Sequence, residues 1–371
     1  MAYLIPNLGK LNQPTASARS FQSTLVLAGW FAALLGLSAS VAWLLVWRGP
    51  NPSYVVWLLY FLGAAAIIYK PRYGIYLVVG LGLAGDTVLS PWFPFTKNFS
   101  SRESLLFLHD AVIINPLESY LALIFLSWFI GSATRRRFRF YGGELLRPAL
   151  VFLGFVVFGL IYGIATRGDV NIALWEARPL FYLVGMLILT SNLLKRREHV
   201  NHVMWAAMIG LFFEGLAGVW YYMFRLRGSL EGVNAITEHP AAIHMNSLFV
   251  FFLAAWLYKA SPAKRIFLPV MLPVVFVTYM ATQRRAAFIT LGVALLVIAV
   301  LLFIENRRAF WIVVPLVVPL ALGYMVVFWN ANGALGLPVQ AVKSVIAPGQ
   351  ASYADQASNA YRDIENLNLR F

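Results

Sequence analysis

Cysteine is missing from all 371 residues. Its absence excludes disulfide bonds, thiolate catalysis and cysteine-bound zinc together. Charge is scarce as well. Asp, Glu, Lys and Arg make up 12% of the chain, about half the roughly 25% of a soluble globular protein. Acidic residues are the scarcer sign, 15 against 29 basic, which leaves a formal net charge of +14. The five histidines show no metal-ligand grouping. His199 and His202 share a helical face but stand beside Lys195, Arg196 and Arg197, as at a solvated helix end.

What is abundant is apolar: 60% of the residues are hydrophobic, gathered into runs of membrane-spanning length. Eleven such segments run approximately 24–47, 53–69, 74–92, 112–132, 147–165, 172–194, 202–224, 242–258, 265–282, 286–304 and 309–328. The basic residues fall in short clusters between them, which is the pattern of membrane topology rather than of a nucleic-acid partner. A polar stretch precedes the first run, and that run is long enough to span, so no cleavable signal peptide is read. The expected fold is all-α: a polytopic transmembrane helical bundle of about eleven spans. A tail over 1–23 and a transmembrane domain over 24–329 are followed by an outer segment over 330–371. In that last segment Tyr361, Ile364, Asn368 and Phe371 share a helical face, flanked by Leu367.

Orientation follows from the short loops. With the N-terminus inside, seventeen of the 29 basic residues are cytoplasmic, from Lys10 and Arg19 to Arg307 and Arg308. Every inside loop is then basic, and the chain reads N-in, C-out. Twelve cations fall outside: Arg48, Lys97, Arg102, Arg167, Arg178, Arg225, Arg227, Arg284, Arg285, Lys343, Arg362 and Arg370.

Some of these lie beside or inside apolar runs. Thr282-Gln283-Arg284-Arg285-Ala286-Ala287-Phe288 joins two runs with almost no loop, so both guanidinium groups belong near the outer membrane boundary. They read either as headgroup anchors or as an anion site, since the guanidinium fork matches phosphate oxygens. Arg178 and Glu176 lie at the outer end of another span but do not face each other. Arg178 reads as an anchor, as a salt-bridge partner on another helix, or as a companion of Arg284 and Arg285 at one outer cavity. Glu238-His239-Pro240, with His244 a turn later, opens a span, and Pro suits the first helical turn. Histidine is the usual base near neutral pH, so His239 is the candidate catalytic residue, against the plainer reading of a polar helix start. Asp86, Glu118 and Glu214 are carboxylates in or near apolar runs, read as structural partners of arginines or as cavity-lining groups. Gly80-Leu81-Gly82-Leu83-Ala84-Gly85 matches a dinucleotide fingerprint but lacks the βαβ setting; small residues there suit close helix packing.

Four segments together suggest a family: Ala-Leu-Trp-Glu-Ala-Arg-Pro-Leu-Phe-Tyr over 173–182, Glu-His at 238–239, Gln-Arg-Arg-Ala-Ala-Phe over 283–288, and Ser-Asn-Ala-Tyr-Arg-Asp-Ile-Glu-Asn over 358–366. In this order, within a multi-span bundle bearing outer arginines, the chain resembles the O-antigen ligase-like membrane proteins over roughly residues 60–371. The resemblance implies a glycosyltransferase of cell-surface polysaccharide and lipopolysaccharide biosynthesis. Such an enzyme moves a glycan from undecaprenyl diphosphate to a sugar hydroxyl, on lipid A-core or on growing polysaccharide, at the periplasmic face of the bacterial inner membrane. It implies no metal and no cofactor. Arg178, one or both of Arg284 and Arg285, and Arg362 match the arginines that grip the diphosphate. The family pattern continues into a Gly-rich segment, a histidine and further spans, whereas this sequence stops at Phe371. The expectation is a C-terminally truncated or split member, or one in which His239 replaces that histidine. Two other readings stay open: a transporter or flippase for an anionic lipid-linked glycan, and a non-catalytic family member.

Overall fold

The computed structural model describes residues 16–134, 140–230, 233, 235–331, 334–347 and a few positions beyond. The described residues contain helices and no strand. Ten helices among them are long and apolar enough to cross a membrane, the make-up of a multi-pass membrane protein. They are α1 (Ala16–Arg48), α2 (Pro52–Tyr69), α4 (Pro116–Thr134), α5 (Leu146–Ala165), α6 (Val170–Leu193), α7 (Arg197–Trp220, continued by a π-helical turn to Arg225), α8 (His239–Leu257), α9 (Pro262–Ala281), α10 (Arg285–Glu305) and α11 (Arg307–Val327). Two shorter apolar helices are α3 (Arg72–Ala84) and α12 (Leu337–Ile346). The chain forms two compact units, Met1–Ala65 and Ala66–Phe371. The first holds α1 and most of α2; the second holds everything described below.

One expected span is corrected. The run over 74–92 is helical only to Ala84, and the fourth span begins at Pro116 rather than 112. Gly85 turns extended at φ −123° and ψ 145°. Asp86 then accepts the Val88 and Leu89 amides at 2.8 and 3.0 Å, a local turn that competes with helix. The prolines at 91 and 94 prevent its return. Residues 85–115 are instead a packed loop, with Leu89, Phe95, Phe99 and Leu106 buried. Its cations Lys97 and Arg102 pair within it, with Glu103 and Asp110.

The second unit is organised around α7, which packs against α3 on one side and α9 on the other. Lipid gives helices no hydrophobic reason to associate, so contact relies on small residues and close backbones. On the α3 side, a Cβ at Gly210 would come within 2.4 Å of the Gly80 carbonyl oxygen. On the α9 side, a Cβ at Gly218 would meet Thr278 at 2.2 Å, and the Thr278 hydroxyl donates to the Gly215 carbonyl at 2.7 Å. The fingerprint-like Gly80 thus serves helix packing. Met208 and Leu211 of α7, Met245 and Leu248 of α8, and Met271 and Val275 of α9 fill the core. Tyr279 is buried edge-on between Phe249 and Phe288, at 5.1 and 5.0 Å between ring centres.

His199 is not simply solvated as expected. Its Nε2 lies 2.8 Å from an Arg72 guanidinium nitrogen, and His202 meets the Tyr76 ring. Of the C-terminal helix expected over 352–371, the described positions Gln356, Ala360, Tyr361, Asp363, Ile364 and Leu367 are helical; Asn368 and Phe371 lie outside the described residues.

Candidate functional site

Alternating helix directions bring one set of ends together. The C-terminal end of α3, the starts of α4, α6 and α8, and the second half of α7 enclose a cavity of about 650 Å³ with the 85–115 loop. This is the side that the basic-loop pattern assigns to the outside.

The start of α4 is fixed by a reciprocal cap. The Asn115 side chain accepts the Leu117 amide at 2.8 Å, and Glu118 reaches back to accept the Asn115 amide at 3.1 Å. Pro116 thus opens a regular helix, in the first turn where no partner is lost. Glu118 also pairs with Arg178. The guanidinium of Arg178 further donates to the Tyr182 hydroxyl and the Ile113 carbonyl, each at 3.3 Å, and lies over the Trp175 ring. Of the three readings of Arg178, the salt bridge to another helix is realised, and it also lines the cavity. Pro179, one residue on, has no amide to offer the Trp175 carbonyl, so the wall of α6 is polar as well as aromatic.

Asp86 knots the opposite side. While one oxygen holds the 86–89 turn, the other accepts the Glu238 amide at 2.7 Å. Glu238 accepts the Thr87 hydroxyl in return. This double link sets the start of α8, and with it His244, against the cavity.

Glu214 projects from α7 into the same space. It is only 3% exposed, and its Oε2 has no hydrogen-bond partner. Of the two readings of Glu214, arginine partner or cavity-lining group, the second is realised. In the sequence Glu238 and Tyr182 stood out only as members of motifs, with no role of their own, and Thr87 not at all.

Arg284 is not among the residues that line the cavity. The α9–α10 corner is as tight as expected, with helix up to Ala281 and again from Arg285. Gln283 adopts a left-handed φ of 54° to make it and donates to the Val233 carbonyl at 2.7 Å. Arg284 is half-buried and donates to the Thr237 carbonyl at 3.3 Å, next to Glu238. Its Nε is buried without a partner. Burial disfavours its charge while the nearby Asp86 favours it, and a guanidinium stays protonated under that balance. Arg178 thus pairs with Glu118 and Arg284 lies near Asp86, on different sides of the site. The side chains of Arg285 and His239, and Arg362 altogether, lie outside the described residues.

The cavity is acidic. Among the described residues, Asp86, Glu118, Glu214 and Glu238 face a single lining arginine, Arg178. Among the described residues no three acidic or histidine side chains stand in an arrangement that would hold a metal ion. A second hollow of about 700 Å³ is lined by Leu81, Leu89, Trp92, Phe93, Phe213 and Trp220 among others, and is almost wholly apolar. Both hollows draw on α3, the loop after it and α7. Compared with protein-family models, curated proteins and solved structures, the chain matches none.

Proposed function

We propose that this multi-pass membrane protein is a glycosyltransferase of the O-antigen ligase or polymerase kind. In this reading it works at the periplasmic face of a bacterial inner membrane and passes a glycan from undecaprenyl diphosphate to a sugar hydroxyl. The observation that carries the reading is the pairing of a polar cavity with an apolar hollow on the same helices. Such a pair suits a substrate with a polar head and a long hydrocarbon tail. Trp175 beside Arg178, Asn98, Asn115 and several carboxylates offers the aromatic face and hydrogen-bonding groups that a sugar uses.

The charge distribution assigns parts. A diphosphate is repelled by the acidic lining, so only the sugar occupies the cavity. The diphosphate then rests on the Arg284 side, where a buried Nε is free to donate. The acceptor hydroxyl attacks the anomeric carbon as the bond to the diphosphate oxygen breaks. Fixed guanidinium groups stabilise the charge that develops on that leaving oxygen. His244 and Glu238 are the lining groups in position to take the hydroxyl proton.

The test is reconstitution in liposomes with an undecaprenyl-diphosphate oligosaccharide and a soluble glycan acceptor. Release of undecaprenyl diphosphate with growth of the acceptor is the expected outcome, and Arg284→Ala slows it by about 100-fold. Passage of the lipid-linked glycan across the bilayer without transfer would overturn the reading and favour a flippase.

A further inference from the structure

Among the described residues, the cavity is short of positive charge. Each of its carboxylates except one has a defined partner. Glu118 has Arg178 and the Asn115 amide; Asp86 has three backbone amides and the field of Arg284; Glu238 has the Thr87 hydroxyl. Glu214 is the exception. It is the most deeply placed of the four, 3% exposed, with an unpartnered Oε2 in the cavity wall. A buried carboxylate without a counter-charge or donor is costly. In lipid-embedded helices such a group marks a functional site.

We propose that Glu214 receives a primary ammonium group, carried by a sugar that enters this cavity. An ammonium brings three donors on one compact charge. It answers both shortages at once, the missing donor at Glu214 Oε2 and the missing cation among Asp86, Glu214 and Glu238. The cavity of about 650 Å³ has room for a monosaccharide, with the Trp175 ring on its wall for the sugar face. A neutral sugar supplies the contacts of the wall and leaves Glu214 uncompensated. An anionic sugar adds to the repulsion. The site is therefore selective for an amino sugar whose amine is free rather than acetylated. This assignment rests on the glycan reading for the sugar, while the ammonium at Glu214 stands on the cavity alone.

The experiment is calorimetric titration of the full chain in nanodiscs, slightly below neutral pH, with glucosamine as the probe. N-acetylglucosamine and glucose are the uncharged comparators. Glucosamine is expected to bind at least about tenfold more tightly than either, the worth of one charge-assisted hydrogen bond. Glu214→Gln removes that preference, and Asp110→Asn, whose partner Arg102 lies in the loop and which does not line the cavity, keeps it. Equal affinity for the three sugars in the wild type, or an undiminished preference in Glu214→Gln, overturns the proposal. The wild-type comparison needs no variant to fold. A failed transfer assay with intact amine preference would remove only the enzymatic reading, and active transfer without amine preference would remove only this one.

Discussion

Arg178 is held by a carboxylate, a phenol, a backbone carbonyl and an indole face. An arginine so engaged sets the shape of a wall before it grips any ligand. Both partners of its ion pair are largely covered, with side chains 27% and 17% exposed, so removing one strands the other in a poorly solvated place. Arg178→Ala is expected to cost about 1–3 kcal/mol of stability. Adding Glu118→Gln is expected to return most of that. Thermal unfolding in detergent reads both variants, and equal losses in the single and double variants would show that the pair carries no coupling. Arg178 and Glu118 were each conspicuous in the sequence as charges beside apolar runs. Their partnership was not, because 60 residues separate them and periodicity speaks only of neighbours on one helix. The same limit hid Glu214: its oddness was legible, its lack of a partner was not.

The helices themselves were largely legible, since length and apolar content mark a span almost directly. The failure over 74–92 has a definite cause. The loop after α3 is apolar because it packs, with Leu106 fully buried, so a hydropathy window cannot tell it from a helix. The turn at Asp86 and the prolines at 91 and 94 were the local signals against helix. Packing between helices makes its own demand. Gly210 tolerates no side chain, because a Cβ would lie 2.4 Å from the Gly80 oxygen. Gly154 in α5 has no atom within 4 Å of such a Cβ. Gly210→Ala is expected to lower stability by about 1–3 kcal/mol through overpacking, while Gly154→Ala leaves the melting temperature unchanged or slightly higher. Melting curves of the two purified variants make the comparison; a like response would mean that α3 and α7 do not approach as described.

Across the whole chain, the absence of cysteine offers a clean way to test the alternation of sides. Arg102 in the loop before α4 and Arg308 at the start of α11 are both exposed. Single Arg102→Cys and Arg308→Cys variants are expected to react with a membrane-impermeant maleimide from opposite faces, Arg102→Cys from outside intact cells. Labelling of both from one side would break the topology. The basic-loop rule supplies only this inside–outside order. It does not say how deep the functional cavity lies, and here α3 decides.

With 13 residues at about 1.5 Å each, α3 is about 20 Å long, against about 30 Å of hydrocarbon in a typical bilayer. The helix falls about 10 Å short, and the packed loop fills the gap from the outer side. Over that outer part the chain offers packed loop rather than helix. In the proposed reading, a sugar headgroup would reach Glu214 through this loop region, while a hydrocarbon tail would lie in the apolar hollow built on the same elements. On this plan the protein would bring a polar path down to a lipid-bound substrate instead of lifting the lipid out of the bilayer.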